Sequence, residues 1–136
     1  MPYWRLHCHL IWATRERLPL IDDLREKEIR TSIITVARKF GCYIHAIGMI
    51  ENHIHIAISV PPSQRISDVI REMKGKSAFQ VNLRFPDANE KFGWQNEYGA
   101  LSFDDSAMEG IVKYVLNQKE HHRSGTTNAR FEIDSD

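Results

Sequence analysis

The stretch CYIHAIGMIENHIHIAISV, residues 42–60, decides the fold. It holds two strand-like runs, 42–50 and 53–60, separated only by Glu51 and Asn52, and that spacing reads as a β-hairpin. In the second run the even positions are Ile54, Ile56, Ile58 and Val60, all β-branched and apolar. The odd positions are His53, His55, Ala57 and Ser59. Side chains alternate across a strand, so one face of this run belongs to a core and the other carries both histidines.

Working outward, residues 3–13 also alternate, with Trp4, Leu6, Cys8, Leu10 and Trp12 on one face and Arg5, His7 and His9 on the other. Residues 22–40 carry Ile29, Ile33, Val36, Ala37 and Phe40 at helical spacing and stop at Gly41. Pro61 and Pro62 end the second hairpin strand. A second helix begins near Ser63 or Arg65, buries a stripe of Ile66, Val69, Ile70, Met73, Ser77 and Val81, and ends before Pro86. Residues 86–97 read as a loop and 98–103 as a short strand. A last helix runs to about Arg123, with Ser106 and Glu109 in the pattern of a capping box. The order β-α-β-β-α-β-α fits an α+β, ferredoxin-like (RRM-like) antiparallel sheet with both early helices on one face, an open opposite face and a C-terminal helix. We expect one domain over residues 1–123 and a polar, loose tail over 124–136.

Composition sets the frame. The 136 residues are 42% hydrophobic and 26% charged, as in a soluble globular protein. Lys plus Arg and Asp plus Glu number 18 each, so net charge gives no case for nucleic acid, and any such case rests on where the charges lie. Cys8 and Cys42 are too few for a disulfide framework, which suits a reduced, cytoplasmic protein. No apolar run approaches the ~20 residues of a membrane span, and the first residues lack a signal-peptide pattern.

Two constellations carry chemistry. Cα atoms two apart on a strand are roughly 6.5–7 Å apart and their side chains point the same way, so His53 and His55 can converge on one cation. If the first strand lies beside them, His7 and His9 share that face as neighbours rather than as direct ligands. On the last helix Met108, Ile111, Val112, Val115 and Leu116 form the apolar stripe. Tyr114 falls off its centre, with Gln118 one turn later and His121 nearly two turns later on the same flank. Beside a metal, Gln118 supplies an oxygen ligand and Tyr114 a nucleophile.

The combination of His53-Ile54-His55 with Tyr114-Val-Leu-Asn-Gln118 resembles the HUH single-tyrosine transposases, which mobilise small insertion sequences as single-stranded DNA. The flanking runs HLIWATRERLPLI, ENHIHIAISVPP, MKGKSAF, WQNEYGALSF and KYVLNQKEHHR match that family as well, so the resemblance spans nearly all of residues 3–123. Glu51 stands at a turn position where relatives often have proline.

The resemblance implies that His53, His55 and Gln118 hold one divalent ion, Mg2+ or Mn2+. It implies that Tyr114 attacks DNA, keeping a 5′-phosphotyrosine and releasing a 3′-hydroxyl. It also implies a homodimer that acts on single-stranded DNA, on hairpin ends of an insertion sequence. Resealing from phosphotyrosine needs no nucleotide, and Gly75-Lys76-Ser77 is no P-loop because Ile70 stands where the first glycine belongs.

Arg15, Arg17, Arg65, Arg71, Lys74, Lys76 and Arg84 are candidate phosphate contacts, and Trp94 and Tyr98 candidate stacking platforms. A non-catalytic single-stranded nucleic-acid-binding module on the same sheet is the rival reading, but it calls for exposed aromatics where the third strand has His, His, Ala and Ser. An HUH replication initiator or a domesticated relative is a closer rival, although such initiators are usually larger.

Overall fold

The computed structural model describes residues 4–125. Four strands form one antiparallel sheet: β1 (His7–Ala13), β2 (Tyr43–Ile50), β3 (His53–Ser59) and β4 (Gly99–Phe103), in the order β2-β3-β1-β4. The helices are α1 (Asp23–Lys39), α2 (Ile66–Arg84), α3 (Met108–Leu116) and α4 (Gln118–Ser124). This is the expected ferredoxin-like order, with β1 and β3 adjacent at the centre. The expected strand at residues 3–13 is shorter at its start: β1 opens at His7, Leu6 is exposed, and Tyr3 lies outside the described residues, as do residues 126–136 of the tail expected over 124–136.

The alternation read from the hairpin partitions the core. Ile54, Ile56 and Ile58 join Cys8, Leu10, Trp12, Ile47 and Met49 under α1 and α2, which supply Ile29, Ile33, Val36, Val69, Ile70 and Met73. Burying each such aliphatic side chain is worth about 1.5–3 kcal/mol. Asp22 caps α1 by accepting from the Arg25 backbone N–H at 2.9 Å.

The opposite face differs from expectation, because it is not open. α3 and α4 lie across it, and Ile111 and Val115 pack on Ala46 and Ala57 in a second small core. The whole of β3 is therefore buried on both sides. The close approach depends on Gly48 in β2. A Cβ there would stand 1.8 Å from the Val115 carbonyl oxygen. Only a residue without a side chain lets the helix end sit on the strand.

The single expected last helix is instead two. It breaks at Asn117 (φ −103°, ψ 28°), which ends α3 and precedes α4. The Ser106–Glu109 capping box does not form: Ser106 Oγ donates to Asp104 Oδ1 at 2.6 Å, and a 3-10 turn, Asp105–Ala107, leads into α3. Among the described residues no helix is long and apolar enough to cross a membrane.

Candidate active site

Each side chain of the site is positioned by a local cause. The β3 alternation that sends its isoleucines under α1 and α2 sends His53 and His55 to the α3–α4 face, where both are buried. The turn before β3 is held from β1: the Thr14 backbone N–H donates to the Asn52 carbonyl oxygen at 2.8 Å. Asn52 in turn places Oδ1 2.9 Å from His53 Nδ1. His9 of β1 is fully buried and sets Nε2 2.8 Å from His55 Nδ1. With each Nδ1–H donated to these neighbours, Nε2 of both histidines keeps its lone pair for a cation, as in metal sites whose ligand histidines are oriented by a second partner.

From above, α4 brings Gln118 and His122. Gln118 is 1% exposed; its Nε2 donates to the Tyr114 carbonyl oxygen at 3.0 Å, and its Oε1 has no hydrogen-bond partner among the described residues. A buried amide oxygen left in that state costs about 1–3 kcal/mol unless something else satisfies it. His122 Nε2 lies 3.0 Å from His53 Nε2, and ligand nitrogens of His53, His55 and His122 all lie within 4.8 Å of one another.

These residues fit a divalent ion: neutral imidazoles, a buried amide oxygen in need of a partner, and no carboxylate in the group. A neutral donor set leaves the ion its full positive charge for a phosphate.

Tyr114 is buried, where the sequence suggested a side chain outside the core. It does not join the apolar cluster. Its ring stacks on His121, with centroids 4.6 Å apart and planes at 24°, and meets His55 edge-on at 5.9 Å and His9 at 6.4 Å. Tyr114 and His9 also line a groove of about 710 Å³ between β4 and α3, walled by Leu101, Phe103, Ala107 and Gly110. So Tyr114 stands between this groove and the imidazoles of its own chain.

A hydrogen-bonded row crosses the same face at the far end of β3. His45 Nε2 lies 2.6 Å from Ser59 Oγ, Ser59 Oγ 2.7 Å from His7 Nδ1, and His7 Nε2 2.5 Å from Asp105 Oδ1. A register shift between Ile44 and Ala46 aims His45 into the row. Burial, and then the neighbouring His7, hold the His45 imidazole below its ordinary value. The row ties the turn before α3 to three strands.

The basic candidates are placed apart. Arg71, Lys74 and Lys76 ride on α2, on the other side of the sheet from His53 and His55. Arg71 pairs with Asp68, and Lys74 donates to the Gln95 and Glu97 carbonyl oxygens at 2.7 and 2.9 Å beneath Tyr98. Burial lowers the Lys74 pKa. Arg15 and Arg17 follow β1 at the end where Ala13 pairs with His53; Arg15 binds Glu16, Glu90 and the Lys91 carbonyl oxygen. Arg65 and Arg84 are exposed at the two ends of α2. Trp94 packs edge-on against Trp12 and Phe92 and donates to Ser77 Oγ at 2.9 Å, a core role, whereas Tyr98 is exposed.

Sequence reasoning missed Gly48, Asn52 and His122. Gly48 carried a signal, a glycine inside a strand. Asn52 read only as a turn, and His122 only as one residue of the run KYVLNQKEHHR.

The profile of the family described as "Transposase IS200 like" matches residues 2–118. The ISDra2 transposase TnpA of Deinococcus radiodurans is 24% identical over 121 residues, covering 86% of this chain and 86% of its own. The transposase for insertion sequence element IS200 of Salmonella typhimurium strain LT2 is 22% identical over 130 residues, covering 90% and 82%. Two solved structures share the fold. A Deinococcus radiodurans R1 chain matches with TM-score 0.70 at 24% identity, over 86% of this chain and 93% of its own. A REP-associated tyrosine transposase bound to a REP hairpin matches with TM-score 0.68 at 18% identity, over 90% and 72%.

Proposed function

Since this chain belongs to the IS200-like transposase family, and is thus a single-strand DNA transposase that works through a tyrosine, we propose that Tyr114 is its nucleophile and that His53, His55 and Gln118 hold its divalent ion. The observation that carries the assignment is the buried Gln118 Oε1, which lacks a hydrogen-bond partner among the described residues, on the helix laid over His53 and His55. The ion, Mg2+ or Mn2+ in the family resemblance, supplies Lewis-acid charge for the phosphate.

The rest is the work of the chain. A single strand enters along the groove between β4 and α3. Tyr114 Oη gives up its proton and bonds to phosphorus, the bond to the 3′ oxygen breaks, and that oxygen leaves as a hydroxyl on gaining a proton. A 5′-phosphotyrosine remains on Tyr114. Attack by another 3′-hydroxyl reverses the step and joins new ends without a nucleotide. His9 and Asn52 keep the two imidazoles aimed, and the stacked His121 covers one face of the tyrosine ring.

The substrate in this reading is a single strand with hairpin ends, as the REP hairpin held by the related transposase suggests. The working form is a homodimer. β4 is an edge strand with exposed Leu101 and Ser102, a template for pairing with a second copy.

Tyr114→Phe tests the assignment. It removes one oxygen and leaves ring packing intact, so folding and metal binding persist. On end-labelled single-stranded DNA it yields neither cleavage nor a covalent protein–DNA band. Adduct formation by the Phe variant overturns the role of Tyr114.

A further inference from the structure

His53, His55 and Gln118 are two imidazoles and one amide oxygen. His122 puts a third imidazole in the same place, one helical turn beyond Gln118 and on the same face of α4. We propose that His122 is a further ligand of the ion, and that three imidazoles with one amide oxygen select a transition metal (manganese, cobalt or zinc) over magnesium. This rests on the metal-site reading given above.

Distance is the first argument. Imidazole nitrogens bond such ions at about 2.0–2.1 Å, so two on one ion stand about 3.0 Å apart at right angles and about 3.4 Å apart in a tetrahedron. His53 and His122 already hold their Nε2 atoms 3.0 Å apart. The pair therefore need not separate for an ion to enter; only the proton between them must leave.

Proton placement is the second argument. His53 Nδ1 is engaged by Asn52 Oδ1 at 2.9 Å, which leaves Nε2 as the lone-pair nitrogen of that ring. In the contact with His53, His122 Nε2 is then the donor. To ligate, His122 moves its N–H from Nε2 to Nδ1 and stays neutral. The ring is half-buried, so water can carry that proton from one nitrogen to the other.

The company the His122 ring keeps points the same way. The side-chain amide oxygen of Gln118, one helical turn before His122 on α4, is buried and has no hydrogen-bond partner among the described residues. A purely structural His122 satisfies His53 but leaves that oxygen as it is; an ion satisfies both.

Metal preference follows from donor type. Imidazole suits zinc and its first-row neighbours, whereas magnesium keeps oxygen ligands and water.

The test needs no DNA. Metal-free protein is titrated with Co2+, Zn2+, Mn2+ and Mg2+ by calorimetry, with visible absorption following Co2+. Wild type binds the three transition metals more tightly than Mg2+. His122→Ala, checked for folding by circular dichroism, weakens Co2+ and Zn2+ binding by about 10–100-fold, the scale on which supporting groups move metal affinity. It alters the Co2+ spectrum and leaves Mg2+ within about twofold.

An unchanged Co2+ affinity and spectrum in His122→Ala, or a wild type that prefers Mg2+, overturns the proposal while His53→Ala still abolishes binding. If His53→Ala also binds every ion as wild type does, the metal-site reading itself fails.

Discussion

His9 shows what a single side chain does here. It is fully buried, touches no solvent, and takes the Nδ1 side of His55 at 2.8 Å. Replacing it with leucine leaves the His55 N–H buried without an acceptor, at a cost of about 1–3 kcal/mol, and frees the ring to turn or change tautomer. His9→Leu is expected to lower Mn2+ affinity about 10–100-fold, measured by calorimetry, with the far-ultraviolet spectrum unchanged. His9→Gln keeps an acceptor oxygen and restores part of the affinity. Equal metal binding in wild type and the leucine variant refutes this role. The alternation of β1 put His9 on the histidine face from sequence alone, but the diagonal bond to His55 depends on the register His9↔Ala57, which no single strand reveals.

At the scale of elements, α3 is fixed at both ends. Its C-terminal end rests on Gly48, and the turn before it is tied down by Asp105 through His7. Gly48→Ala drives a methyl into the Val115 carbonyl and crowds Gln118 Cγ, 3.3 Å from the built Cβ. The expected result is a loss of about 1–3 kcal/mol from overpacking, seen in urea unfolding, with a larger loss of metal binding because Gln118 is displaced. A variant as stable and as metal-competent as wild type shows that the contact is unimportant.

The other end responds to pH. His45 has a folded-state pKa below its unfolded value, so the unfolded chain binds a proton more readily. Stability is thus full above about pH 6.5 and declines as pH falls through the lowered folded value. The readout is a difference: His45→Gln narrows the gap between melting temperatures at pH 7.5 and pH 5. An identical gap in the two proteins removes His45 from that account.

Across the whole molecule, the sheet and its two early helices were legible because β1 and β3 alternate, with an apolar face that in β3 is all β-branched, and the helices carry clear apolar stripes. The cover of the histidine face was not. Ile111 and Val115 marked α3 as amphipathic without saying which surface they meet, and Ala46 and Ala57 look too small in sequence to announce a second core. The break at Asn117 was equally hidden, since Tyr114 and Gln118 keep helical spacing across it. The dimer proposed from the β4 edge is checked by light scattering: twice the chain mass, falling to one after a proline enters at Leu101, whereas a wild-type monomer at working concentration contradicts it. The element order also bears on synthesis. All four strands precede Tyr114 along the chain, and chains emerge from the ribosome at about 5–20 residues per second, N-terminal end first. With Tyr114 as the nucleophile proposed above, a nascent chain therefore holds His53 and His55 before it holds the group that cuts, and it stays chemically harmless to its host's DNA until translation has moved past the third helix.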